Sequence, residues 1–102
     1  MEIVENWSRI VGTVQEWKPP EEPKGPALIV IRVEHVGTVV RGHETYRNLL
    51  ANTKGEVVQV QVPSVDARDL ELVRGMHIEV EVRRGRSADK LFAKPGTIVA
   101  TR

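Results

Sequence analysis

The sequence predicts an all-β fold, a small barrel of five strands with one short helix, on three observations. Val and Ile dominate the apolar residues, while Leu and Ala are fewer, and β-branched side chains suit a pleated, half-buried surface. Five stretches either alternate apolar and polar residues or run apolar throughout, the signature of strands. Clusters of Pro, Gly, Asp and Ser separate them and break regular structure. The 102 residues are read as a single domain over 1–102 with a thin core.

After an N-terminal tail over 1–6, the first strand runs from Trp7 to Trp17. Ile10 and Val14 share one parity; Trp7, Arg9, Val11, Thr13, Gln15 and Trp17 share the other, and Gly12 between them suggests a bulge or sharp coil. The loop over 18–26 carries four prolines in nine residues, which excludes a helix or an inner strand there. The second strand, Ala27 to Val36, opens with the apolar run Ala27-Leu28-Ile29-Val30-Ile31, as expected of a segment buried on both faces, before Arg32 and Glu34 restore alternation. Residues 37–55 form a long connection with room for a short strand or helical turn, and a connection of that length in a compact domain is often functional.

The third strand, Glu56 to Val62, sets Val58, Val60 and Val62 against Gln59 and Gln61, and Pro63 ends it. Ser64 is placed to cap a short helix through Asp66–Leu72, whose acids lie early, as the helix dipole favours, and Arg74-Gly75 stops it. The fourth strand, Met76 to Arg84, is the cleanest: Met76, Ile78, Val80 and Val82 face one way and His77, Glu79, Glu81 and Arg83 the other. A turn over Gly85–Asp89 leads to the fifth, Lys90 to Ala100, broken by Pro95-Gly96. A helix between the third and fourth of five strands is the OB-fold arrangement; an SH3-like barrel is the alternative.

Arg9-Ile10-Val11-Gly12-Thr13-Val14 resembles the first strand of OB-fold proteins that bind single-stranded DNA. Leu72-Val73-Arg74-Gly75-Met76-His77-Ile78-Glu79-Val80 resembles their helix exit and fourth strand. With the element order, the likeness covers residues 7 to 100, and in size and layout it points to the bacterial primosomal replication protein and short single-stranded-DNA-binding proteins. The resemblance implies DNA binding, in the setting of DNA replication, without catalysis. The chain departs from that group in having only two Trp, one Tyr and one Phe, where the group often carries several aromatics on the binding sheet.

Net charge is +1, so a case for a polyanionic ligand rests on where charges sit. Trp7 and Trp17, with Arg9 between them, offer rings that stack bases and a cation for phosphate; the competing reading has one Trp closing a barrel end. Arg83, Arg84, Arg86, Lys90 and Lys94, opposed only by Asp89, place a local charge of about +4 on the hairpin between strands four and five, which in OB-folds flanks the ligand groove; they also fit a solvated turn. Arg41, His43, Tyr46, Arg47 and Lys54 of the long connection set an aromatic among basic groups, as an ordinary surface loop also does. Arg32 is a further candidate, or a cross-strand partner of Glu34 or Glu81. Asp66, Asp69, Glu71, Glu79 and Glu81 mark surfaces a polyanion avoids.

The sequence offers no enzyme signature. His35, His43 and His77 lack metal-ligand spacing, Ser8, Ser64 and Ser87 sit in no nucleophile elbow, and there is no phosphate loop or dinucleotide fingerprint. No cofactor is expected. Cysteine is absent, which excludes disulfides and thiolate metal sites. The N-terminal Met1–Glu5 lacks the pattern of a secretory signal, and no apolar run reaches the ~20 residues of a membrane span, so a cytoplasmic location without membrane partners is expected. The expected function is a module for single-stranded nucleic acid, DNA before RNA, binding electrostatically with limited stacking and little sequence preference. The alternative is a protein-interaction or oligomerisation module, a homo-oligomer or a subunit or excised domain of a larger assembly.

Overall fold

The computed structural model describes residues 6–21, 25–42, 44–46, 48, 50–67, 70–85 and 91–101, without the side chains of Arg41 and Glu44. The strands are β1 (Ser8–Lys18), β2 (Ala27–Thr38), β3 (Val40–Arg41), β4 (Glu44–Thr45), β5 (Val57–Val62), β6 (His77–Arg84), β7 (Leu91–Ala93) and β8 (Val99–Thr101), with one helix, α1 (Ser64–Ala67), between β5 and β6.

Five strands close on themselves in the order β1-β2-β5-β7-β6, and β6 returns to β1. All pairings round the barrel are antiparallel except β5 with β7, which is parallel and only two pairs long, Val60 with Leu91 and Gln61 with Phe92. This ring, with α1 after the third barrel strand, is the OB-fold connectivity the element order predicted. Closure removes most exposed edges. The predicted fifth strand is present in two pieces: β7 and β8 pair one after the other with β6, separated by the turn at Pro95-Gly96.

Alternation fills the interior. Ile10 and Val14 from β1, Ala27, Ile29, Ile31 and Val33 from β2, Val60 and Val62 from β5, Ile78, Val80 and Val82 from β6, and Leu91 and Ala93 from β7 form one buried cluster. Burying each Val or Ile contributes roughly 1.5–3 kcal/mol relative to exposure. Leu72 and Ala67 close it beside α1, and Leu50 enters from the long connection. That connection therefore belongs to the barrel. It holds the short β3–β4 hairpin, and buried Ser8 donates its hydroxyl to Asn48 Oδ1 at 2.7 Å, an oxygen that also accepts from Leu50 N–H.

Two bulges in the β1–β2 ladder redirect side chains. One skips Glu34 opposite Val11 and Gly12; the other skips Gln15 between Val14 and Glu16. At the first, β2 comes so close that a Cβ on Gly12 would lie 2.1 Å from the Arg32 carbonyl oxygen, so only glycine fits. The second corrects the parity expected for the tryptophans. The extra residue moves Trp17 into register with inward-facing Ile29, and its ring packs against the core. The helix is also shorter than expected. It spans Ser64–Ala67, with the Pro63 carbonyl accepting from Asp66 and Ala67 N–H; Ser64 is its first residue rather than a cap before Asp66. Residues 70–73 lead without regular structure to the turn at Gly75, whose φ of 95° suits glycine.

Candidate functional site

The outward side chains of β2, β5 and β7 build one face of the barrel. Strand pairing aligns them in rows, because directly paired residues project to the same side. The longest row runs Lys18–Leu28–Gln61–Phe92–Arg83 across all five barrel strands. Above it lie Val30 beside Gln59, then Arg32 beside Val57. At adjacent-strand spacings of about 4.8 Å, the four steps of the long row cover roughly 19 Å of curved surface.

The centre of this face is uncharged and its border is cationic. Leu28, Val30 and Phe92 are half-buried, and Gln59 is exposed. Lys18 stands at one end, beside an open cleft that Pro19, Glu21, Gly25 and Pro26 of the Pro-rich loop also line. Its Nζ lies 4.0 Å from Glu16, with both side chains half exposed, an ion pair of little energetic weight. At the other end the Arg83 guanidinium lies over the Phe92 ring, 5.2 Å from its centroid. Close by in chain and sheet, Lys94 Nζ sits 5.4 Å from the centre of the Trp7 ring. Contacts of this kind hold a cation over a π face with about 0.5–1 kcal/mol at exposed sites, weak enough for a ligand to displace. Arg32 borders the face and has no carboxylate within ion-pair distance among the described residues; the cross-strand pairing with Glu34 or Glu81 considered from sequence is absent. Glu34 instead accepts from the Thr13 hydroxyl at 2.6 Å and lies 3.9 Å from His77 Nδ1.

Trp7 is positioned by its neighbour. The Asn6 side chain imitates a peptide: Oδ1 accepts from Arg84 N–H at 2.7 Å and Nδ2 donates to the Arg84 carbonyl at 3.2 Å. This joins the start of β1 to the end of β6 and sets Trp7 beside the basic strand end.

Of the residues expected from sequence, Trp7, Arg32, Arg83 and Lys94 belong to this face or its border. Arg9 does not. It lies on the β1–β6 flank, its Nε 3.3 Å from Glu79 Oε1, and that flank also carries Glu81, Glu34 and His77. Trp17 is turned to the core. Arg84 takes the inward parity at the barrel end, paired with buried Leu91, and is half-buried. Tyr46 lies in the long connection, its N–H donating to the Val39 carbonyl, and Lys54 is exposed in the turn before β5. For Arg41 only the backbone, in β3, is described. Arg47, Arg86 and Lys90 lie outside the described residues, as does His43.

Sequence reading missed Phe92, Lys18, Gln59 and Gln61. Phe92 carried a signal, since it takes the outward parity between Leu91 and Ala93. Its pairing with Gln61 joins strands distant in sequence, which periodicity does not report.

Among the described residues no group of three or more His, Asp or Glu is placed to hold a metal ion, and no helix is long and apolar enough to cross a membrane. Comparison with protein-family models, with curated proteins and with solved structures returned no match.

Proposed function

We propose that the protein binds single-stranded nucleic acid across the outer face of β2, β5 and β7. The observation that carries this reading is the row Lys18–Leu28–Gln61–Phe92–Arg83, an uncharged, partly aromatic strip with a cation at each end. Such a strip suits bases laid flat with phosphates drawn to its borders. A strand crossing it meets Arg32 on one side and the Trp7–Lys94 pair near its end. Its length of roughly 19 Å accommodates about three bases at twice the ~3.4 Å stacked rise. A base taking the Phe92 face displaces Arg83 towards the backbone phosphate, exchanging one weak contact for stacking and a charge-assisted hydrogen bond. The resemblance of residues 9–14 and 72–80 to single-stranded-DNA binders favours DNA.

The experiment is fluorescence anisotropy of a labelled octathymidylate titrated with protein at low and moderate salt. Binding that weakens as salt rises is expected; no binding at low salt refutes the proposal.

A second reading, docking of another protein chain, is favoured by β8. It is the end strand of the sheet order, and its Val99 is 58% exposed, an edge suited to strand addition. Sedimentation mass that rises with concentration, together with indifference to oligonucleotide, would support it instead.

A further inference from the structure

The strip ends in a pair of cations, not one. The β1–β6 register, continued one residue past Ser8 and Val82, sets Trp7 beside Arg83, and Arg83 is the direct neighbour of Phe92. Lys94 follows Phe92 on the same side of its strand, diagonal to Arg83 and about 7–8 Å from it. Each charge rests over a ring, Arg83 on Phe92 and Lys94 on Trp7, and neither has a carboxylate within ion-pair distance among the described residues. The backbone beneath both is pinned. Arg83 lies between the β6–β7 ladder and the Asn6 clamp on Arg84. Lys94 N–H donates to the Glu81 carbonyl at 2.8 Å, and the Lys94 carbonyl accepts from the Thr97 hydroxyl at 2.7 Å. Asp66 accepts from Gly96 N–H and ties that turn to α1. Two charges held in place this way lose little freedom when a ligand arrives.

Beyond the pair the surface changes sign. Glu81 is the direct neighbour of Lys94, and Glu79 follows two residues along the same side of β6, where it engages Arg9. A polyanion that crosses the strip to Arg83 and Lys94 meets carboxylates if it continues onto that flank, and like charges repel it. We infer that Arg83 and Lys94 together bind the terminal phosphate of a strand whose bases lie on the strip, so that the protein favours phosphorylated strand ends. The inference rests on the nucleic-acid reading above and adds end recognition to it. An internal phosphodiester carries one charge. A phosphate monoester carries about −1.5 to −2 at pH 7 and three acceptor oxygens, which lets one group accept charge-assisted hydrogen bonds from both side chains. A 5′-phosphate and a 3′-phosphate share this chemistry.

The test is competition at low salt against a labelled octathymidylate by three unlabelled strands: octathymidylate, its 5′-phosphate and its 3′-phosphate. At least one phosphorylated strand is expected to compete about 5-fold or more strongly than the unphosphorylated one, less than a fully made hydrogen bond between charged groups supplies. In Arg83→Ala/Lys94→Ala that advantage falls below about 2-fold, because both donors are gone. Arg32→Ala removes a charge from the side border instead; it weakens all three competitors alike and keeps the advantage. Arg83→Gln and Lys94→Gln, each expected to lose part of the advantage, serve if the double variant fails to fold. Equal competition by the three strands overturns the inference and leaves nucleic-acid binding standing. So does an advantage that survives in the folded Arg83 and Lys94 variants, or one that Arg32→Ala abolishes equally. Absence of binding of the labelled strand by the wild-type protein overturns the underlying reading as well.

Discussion

Replacing Arg83 and Lys94 by Ala tests whether charge at the border of the strip holds a polyanion. For a single strand, the slope of log affinity against log salt is about −0.7 for each phosphate neutralised. Lys18, Arg32, Arg83 and Lys94 are the cations that the structure places around the strip. Four contacts give a slope of about −2.8, so affinity falls about 50-fold between 50 and 200 mM salt. Without Arg83 and Lys94 the slope becomes about −1.4 and the same change in salt costs about 7-fold. Arg86 and Lys90 raise both slopes alike if they take part, so the difference of about 1.4 is the quantity to measure. Arg9→Ala is the control. Its guanidinium is engaged by Glu79 on the β1–β6 flank, and its removal is expected to leave the slope within about 0.2 of wild type. The assay is anisotropy of a labelled octathymidylate at five salt concentrations. Equal slopes for wild type and the double variant, or an effect of Arg9→Ala as large as that of the pair, refutes the placement of the site.

Other perturbations address the scaffold. Gly12→Ala forces a methyl group against the Arg32 carbonyl and is expected to cost 3 kcal/mol or more, about the upper end of overpacking effects, in urea unfolding; Gly37→Ala, whose nearest neighbour would be 3.9 Å away, is expected to stay within about 1 kcal/mol. Asn6→Ala removes both side-chain hydrogen bonds to Arg84 and is expected to cost about 1–3 kcal/mol, read as a lower urea midpoint at unchanged slope. The two tryptophans should separate: Trp17→Ala is expected to lower stability by about 2–4 kcal/mol, because its ring packs on the core, whereas Trp7→Ala weakens oligonucleotide affinity by about 5-fold or more with little change in unfolding midpoint.

Much of the barrel was legible because its strands keep strict period. Val58, Val60 and Val62, and Ile78, Val80 and Val82, point one way without interruption, and their partners point out as alternation requires. Gly12 announced the first bulge. The second was hidden, since Gln15 is an ordinary strand residue and nothing local marks it as the unpaired one; Trp17 was therefore read on the wrong face. The helix was overextended because Ser64, the early acids and Arg74-Gly75 read as its start and stop, yet Leu70 and Leu72 pack on the core from an irregular segment. The candidate site was only partly legible. The length of the turn between β6 and β7 hides the register of Arg83 with Phe92, and the long row is completed by the parallel pairing of β5 with β7, a contact between strands remote in sequence.

The same parallel pairing is the barrel's seam. Two residue pairs there fasten the β1–β2–β5 meander to the β6–β7–β8 meander, against six pairs along β1 and β6 on the opposite side. Local opening follows the least-secured joint, so the amides that bond across β5 and β7 should exchange sooner than those of the β1–β6 ladder. A strand of nucleic acid lying over Gln61 and Phe92 would bridge both meanders and act as a splint, so that occupancy of the strip and cohesion of the barrel rise together.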